Sequence, residues 1–216
     1  MTEQSVLEAT PTSRRERTRQ ALLDAGLALL ADRPIDALAI DEIVRAAGVA
    51  KGSFFNHFAD KDAFSAAIAS RLRRETEAVV GAANRGVEDP ARRVAQAVCA
   101  YIAFAAREPA RASVLLRLSP SLAATDAPLN GGVLSDVSDG LRAGRFAVPT
   151  AEAGVLLILG VAQIALARLL REPSQALAAA LGQQLCALLL RGLGLAAPEA
   201  DRLAAQAAHA VIDTLG

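Results

Sequence analysis

Tryptophan is absent from this 216-residue chain, and aromatic residues make up only 3% of it. Runs rich in Val, Ile or Tyr are equally scarce, which argues against a sheet protein. Cysteine occurs twice, at Cys99 and Cys186. Two thiols so far apart in sequence have no metal-ligand spacing and are too few for a disulfide scaffold, so a reduced, cytoplasmic chain is expected. Each Cys reads as a small buried hydrophobe or as an oxidant sensor. Histidine also occurs twice, at His57 and His209, and no HExxH, P-loop, dinucleotide glycine motif or Ser/His/Asp set is present. General-base chemistry would rest on carboxylates, none of which sits in a suggestive pair. No metal or organic cofactor is implied.

Charge of one sign is missing too: 23 Lys and Arg balance 23 Asp and Glu. Residues 1–61 hold eight cations against nine acids, which counts against a broad electrostatic binder of nucleic acid. The N-terminus, MTEQSVLEATPTSRR, is polar and has no secretory signal. The most apolar run, GVLLILGVAQIALA at Gly154–Ala167, falls short of the roughly 20 residues that span a bilayer and contains Gln163. It reads as a buried or dimer-forming helix, with no membrane partner.

What is abundant is apolar residue, 53% of the chain, with Ala and Leu dominant. These are strong helix formers, and the expected fold is all-α. Residues 1–13 read as a flexible tail, and Ser13-Arg-Arg-Glu16 has capping-box spacing for a first helix that runs to about Ala31 and ends at Pro34. Further helices are expected at about 41–47, 51–57 and from Asp60 towards Val80. Asp89-Pro90 opens one that runs to about Arg107, and Ala110 to Leu118 forms a shorter one. Residues 119–132 read as loop and Val133–Ala143 as helix. Two long apolar helices follow at about 150–171 and 174–191, and Pro198 opens a last one to about Leu215. Residues 14–60 thus form a three-helix N-terminal domain, and residues 61–216 a larger helical domain.

The densest signal is AIDEIVRAAGVAKGSFFNHFADK at residues 39–61. Ile43, Val44 and Ala47 have helical spacing, and Gly48 stands where a helix ends in a left-handed residue. Phe54 and Phe58, four apart, point into one core. Lys51, Ser53, Asn56 and His57 remain on or near the outward side. A short helix held by its aromatics, with cationic, hydroxyl and amide groups facing out, suits a DNA major groove.

Residues from about 19 to 64 resemble the DNA-binding domain of the TetR family of transcriptional regulators, most specifically in GVAKGSFFNHF followed by ADKDAF. Pro34, Ala39, Ala50 and Phe55 depart from the family's usual Gly, Thr, Ser or Thr, and Tyr. The resemblance implies that Lys51, Gly52, Ser53 and Asn56 approach base edges or flanking phosphates, that Arg45, His57 and Lys61 meet phosphates, and that Phe55 keeps a ring without a phenolic hydroxyl. Asn56 is the best base reader on chemistry, because an amide pairs bidentately with adenine. His57 also reads as a hydrogen-bonded helix end. Arg14, Arg15, Arg17 and Arg19 read equally as a phosphate-contacting arm and as a solvated helix start.

The long helices near 150–171 and 174–191 carry more apolar surface than one small domain covers, with Gly160 and Gly182 allowing close approach. They are expected either to fill an intrachain core or, as the resemblance also implies, to form a two-fold four-helix dimer interface. A pocket for a small-molecule effector is expected in the C-terminal domain, with Tyr101, Phe104, Arg117 and Gln163 as candidates. The expected function is a homodimeric, ligand-responsive regulator, most simply a repressor of a palindromic operator. The alternatives are an activator of the same fold and a helical carrier or enzyme without DNA binding.

Overall fold

The computed structural model describes residues 13–118 and 130–212. Those residues form ten α-helices and one 3-10 turn, with no strand among them. The expected tail up to residue 12, residues 119–129 of the loop expected at 119–132 and the end of the last helix lie outside the described residues, while Gly131 and Gly132 of that expected loop are helical.

The chain divides into two compact units, residues 1–68 and 69–216. In the first unit, α1 spans Arg14–Asp32, α2 Ile40–Ala46 and α3 Lys51–Phe55, with a 3-10 turn at Ile35–Ala37. The Glu16 amide donates to Ser13 Oγ at 3.1 Å, so the hydroxyl takes a helix-start N–H that has no partner within α1. Ala39 offers α2 no cap of this kind. Instead the Glu42 carboxylate reaches back to the Ala39 amide at 3.0 Å and also accepts from Arg33 at 3.0 Å. The Ala39 bond, then that from Arg33, hold the Glu42 carboxyl below its ordinary range.

The core of this unit is aromatic. Phe54, Phe58 and Phe64 are buried, with ring centroids 5.0–5.6 Å apart. Leu22, Leu23, Leu30 and Ile43 close round them. The Arg19 guanidinium lies 5.5 Å from the Phe58 ring centre, a cation–π pair that helps hold α1 to the three rings. Gly26 in α1 faces Phe64 so closely that no side chain fits between them.

The helix α4 spans Lys61–Ala83, begun by Asp60, whose carboxylate accepts from the Ala63 amide at 2.7 Å. In the second unit, α5 (Pro90–Arg107) packs against α7 (Gly131–Arg142), α8 (Ala151–Arg171), α9 (Gln175–Gly192) and α10 (Ala197–Val211). Its small residues explain this: Ala91, Ala95, Ala100, Ala103 and Ala105 are all buried, so several helices approach it at once. The short α6 (Pro109–Arg117) packs on α5 and α8. Thr150 and Ser174 cap α8 and α9 through their hydroxyls.

Cys99 and Cys186 meet across α5 and α9, both free and fully buried. The Cys99 thiol donates to Gly182 O and the Cys186 thiol to Ala95 O, each at 4.0 Å. The neighbouring Cys186 thiol, then burial, push the Cys99 thiol far above its ordinary value, so thiolate formation at Cys99 is suppressed. Gly182 belongs to this intrachain packing, since a side chain there would strike Ile212. Leu166 and Leu189 are likewise buried in the core. By contrast Ile164 and Leu188 are 64% and 60% exposed, Leu156 is exposed, and a Cβ at Gly160 would meet nothing. The apolar helix α8 is long and apolar enough to cross a membrane, a test that core helices of soluble proteins also pass.

Candidate functional site

Two sites emerge, one in each unit. In the first, Gly48 adopts φ +66, open to glycine without strain. Its amide donates to Arg45 O and that of Val49 to Val44 O, closing α2 and turning the chain into α3. Phe54 then anchors α3 from below. Arg45, Lys51, Gly52, Phe55 and Asn56 are exposed, while Ser53 and His57 are half-buried. A Cβ at Gly52 would meet nothing, so the backbone there is open to close approach.

The helix is shorter than the sequence suggests. It ends at Phe55, with Asn56 as its C-cap and His57 in the turn that follows. No protein group among the described residues holds the Asn56 side-chain amide. Ala50 gives α3 no side-chain cap, and Lys51, a cation at the unfavourable end of the helix dipole, pairs with Asp41 at 2.9 Å. Both partners are largely exposed, so the pair is weak and readily exchanged.

Ser53, Asn56 and His57 share a polar concavity of about 500 Å³ with Arg14, Arg15 and Thr18 of α1. The head of α1 therefore joins the reading segment. Burial, then the charges of Arg15 and Arg19, lower the His57 pKa, which marks the cleft as cationic. Lys61 is engaged within the protein. Its ammonium donates to the carbonyls of Ile35, Asp36 and Leu38 at 3.2–3.4 Å. These three bonds use all three of its protons and fasten the start of α4 to the 3-10 turn.

The second site is an apolar recess of about 70 Å³. Ala97, Val98, Leu115, Ile158, Leu159 and Leu166 form much of its wall. Tyr101 and Gln163 line it as the sequence suggests. Phe104 does not, being packed in the core, and Arg117 lies exposed against Ser113. Arg73, Glu77 and Asn130 form a polar end that the sequence reading missed. The Tyr101 hydroxyl donates to Glu77 Oε1 at 3.4 Å, and Arg73 donates to Asn130 Oδ1 at 3.4 Å. Burial pushes the Glu77 carboxyl up and the Tyr101 hydroxyl well above its ordinary value. The signal for Arg73 and Glu77 is their i,i+4 spacing, but such pairs are usually solvated. His209 lies exposed on α10, apart from both sites.

Residues 22–68 match the bacterial regulatory proteins of the tetR family, and residues 89–206 match the tetracyclin repressor-like C-terminal domain. The chain belongs to the TetR family. A relative in Bacillus subtilis strain 168, an uncharacterized HTH-type transcriptional regulator YwcC, is 37% identical over 68 residues. That stretch is 32% of this chain and 30% of the relative, so the chain spans under a third of its length. Among solved TetR-like folds, a putative regulator from Shewanella sp. PV-4 has a TM-score of 0.74 at 20% identity, covering 83% of this chain and 99% of its own. The resorcinol complex of RolR has a TM-score of 0.58 at 22% identity, covering 89% and 95%. An ArpA-like gamma-butyrolactone receptor has a TM-score of 0.62 at 18% identity, covering 92% and 100%. At these identities the likeness is one of fold.

Proposed function

We propose that this TetR family member is a homodimeric, ligand-responsive repressor that binds a palindromic operator and leaves it when a small molecule occupies the recess. It acts as a binder without catalysis, in the cytoplasm where its operator lies. The observation that carries the reading is the open face of α3. Lys51, Gly52, Ser53 and Asn56 are presented over an aromatic core, beside the Arg14 and Arg15 side chains. Asn56 reads a base, while Arg14, Arg15, Arg45 and His57 position the protein on phosphates. Phe55, 53% exposed, packs against the sugar–phosphate wall.

The exposed Leu156, Ile164 and Leu188 with Gly160 support a second copy on the α8–α9 face, since a two-fold partner places two reading heads on successive major grooves. The recess supports the ligand, and so do two proteins of similar fold, RolR in complex with resorcinol and a gamma-butyrolactone receptor.

The test is selection of bound sequences from a random DNA pool by the purified protein. An inverted repeat with half-sites one helical turn apart is expected. Enrichment of single half-sites alone would defeat the dimeric reading, and no enrichment would favour a carrier. Release of the selected DNA by a recess ligand separates repressor from activator when paired with a reporter.

A further inference from the structure

The polar end of the recess has a specific chemistry. It holds one cation and one anion on adjacent turns of α4, Arg73 and Glu77, and is formally neutral. A charged ligand of either sign would be attracted by one of these groups and repelled by the other, and partial burial strengthens both effects, so the gain is offset by repulsion. An uncharged hydroxyl escapes it, because it donates to the carboxylate and accepts from the guanidinium.

Glu77 needs such a partner. Among the described residues its one hydrogen bond, from the Tyr101 hydroxyl, is long at 3.4 Å and engages Oε1. Its other oxygen lies beside Gly132, where even a Cβ would sit 3.6 Å away, so no side chain shields it from that position. The carboxyl is partly desolvated and its pKa raised, the state of a group short of donors. The Gln163 amide, also in the lining, makes no hydrogen bond among the described residues and offers a second, weaker polar position. The wall between them is chiefly hydrocarbon.

We infer that the recess takes an uncharged, hydroxyl-bearing apolar molecule, a small phenol or alcohol, whose hydroxyl bridges Glu77 and Arg73 while its body lies against Val98, Ile158 and Leu166. This rests on the effector reading for its biological use but not for its binding chemistry. Size adds a condition. A cavity that holds benzene measures about 150 Å³, against about 70 Å³ here. A ring therefore enters only as the walls separate, and it binds the widened state in preference to this one.

The test is calorimetric titration of the full chain with four probes of one shape: 4-ethylphenol, its methyl ether 4-ethylanisole, 4-ethylbenzoate and 4-ethylbenzylamine. The phenol is expected to bind about tenfold or more tighter than the other three, the worth of a hydrogen bond to a charged group. Glu77→Gln should weaken the phenol about tenfold and leave the ether unchanged. Ala162→Phe, which fills the recess from a half-buried wall position, should abolish phenol binding while thermal unfolding shows a folded protein. Absence of heat with the phenol, equal or tighter binding of the ether, acid or amine, or an unaffected Glu77→Gln variant overturns the assignment. Release of selected operator DNA is measured separately. A phenol that binds without releasing DNA removes the effector role and leaves the binding chemistry intact.

Discussion

Replacing Gly26 by Ala sets two effects of known size against each other. Glycine inside a helix is about 1 kcal/mol worse than alanine, so propensity alone makes Gly26→Ala stabilising. The packing says otherwise. The new Cβ would lie 2.2 Å from Phe64 Cζ, 2.6 Å from Cε1 and 2.9 Å from Ile68 Cδ1, whereas ordinary contact begins at 3.4 Å. The ring must retreat by roughly 1 Å, and it has nowhere to go: Phe64 is fully buried, 5.3 Å from Phe54 and 5.0 Å from Phe58 between ring centres. Overpacking costs about 1–3 kcal/mol, and an approach of 2.2 Å places this case in the upper part of that range, at about 2–3 kcal/mol. The net expectation is a loss of about 1–2 kcal/mol, seen as a Tm lower by roughly 2–8 °C. Because Phe54 carries α3, operator affinity should fall with it. Gly81→Ala is the matched control, for it lies in α4 with nothing within reach of its Cβ and should gain up to about 1 kcal/mol. Circular dichroism melts and fluorescence anisotropy on selected DNA read both quantities. A Gly26→Ala protein that melts at or above the wild type would refute the close-packed arrangement of α1 on Phe64.

Asn56→Ala should cost about 1–3 kcal/mol at the selected operator and relax preference at one base position, whereas Arg15→Ala should weaken all sequences alike and flatten the salt dependence. Competition binding on single-base variants at two salt concentrations checks both. In the free protein His57 titrates below its ordinary value, and phosphate in the cleft would raise it. The extra affinity is then complete below the free-state pKa and lost as pH rises through the bound-state pKa, a pH dependence that His57→Asn should flatten in anisotropy titrations. Arg145 binds Asp89 at 2.9 Å and Glu199 at 2.7 Å, and these bonds lower both carboxyl pKa values. Their stabilisation is present above the unfolded pKa and lost as pH falls through the lower folded values. Melts below pH about 4 should therefore fall more steeply for the wild type than for Arg145→Met. Ile164→Asp with Leu188→Asp should yield a folded monomer in light scattering, and an unchanged dimer would move the interface elsewhere.

Helix starts are legible in the sequence because capping is local chemistry: Ser13, Asp60, Asp89, Thr150 and Ser174 each accept from an amide two or three residues on. The reading segment is legible for the same reason, since Gly48, Phe54 and Phe58 state a turn and a core within eleven residues. What escapes a sequence reading depends on long-range packing. The 3-10 turn at 35–37 is held by Lys61 from 23 to 26 residues away, and nothing in the sequence distinguishes that lysine from one awaiting phosphate. Phe104 and Tyr101 sit on one helix three residues apart, yet one enters the core and the other the recess. Gly160 and Gly182 look alike in sequence, and only the folded α10 shows that Gly182 is filled by Ile212 while Gly160 faces out.

The balance of charge in the N-terminal residues limits how this protein can recognise DNA. With eight cations against nine acids, long-range attraction is weak, and affinity must come from cations in fixed places. Arg14 and Arg15 meet Ser53, Asn56 and His57 around one cleft, while Asp41 holds Lys51 loosely beside it. In the proposed dimer such an arrangement would gain little on non-specific DNA and respond strongly to small displacements of each head. A phosphate hydrogen bond stretched by about 1 Å passes out of bonding range, and no diffuse field makes up for it. The recess works on the same scale. A ring that needs about 150 Å³ where the protein offers about 70 Å³ must bind a widened state, and only that difference in affinity between states can shift a population. On the proposed function, a weakly charged reading head and an undersized pocket are matched properties: the first would make DNA binding sensitive to position, and the second would make ligand binding a change of position.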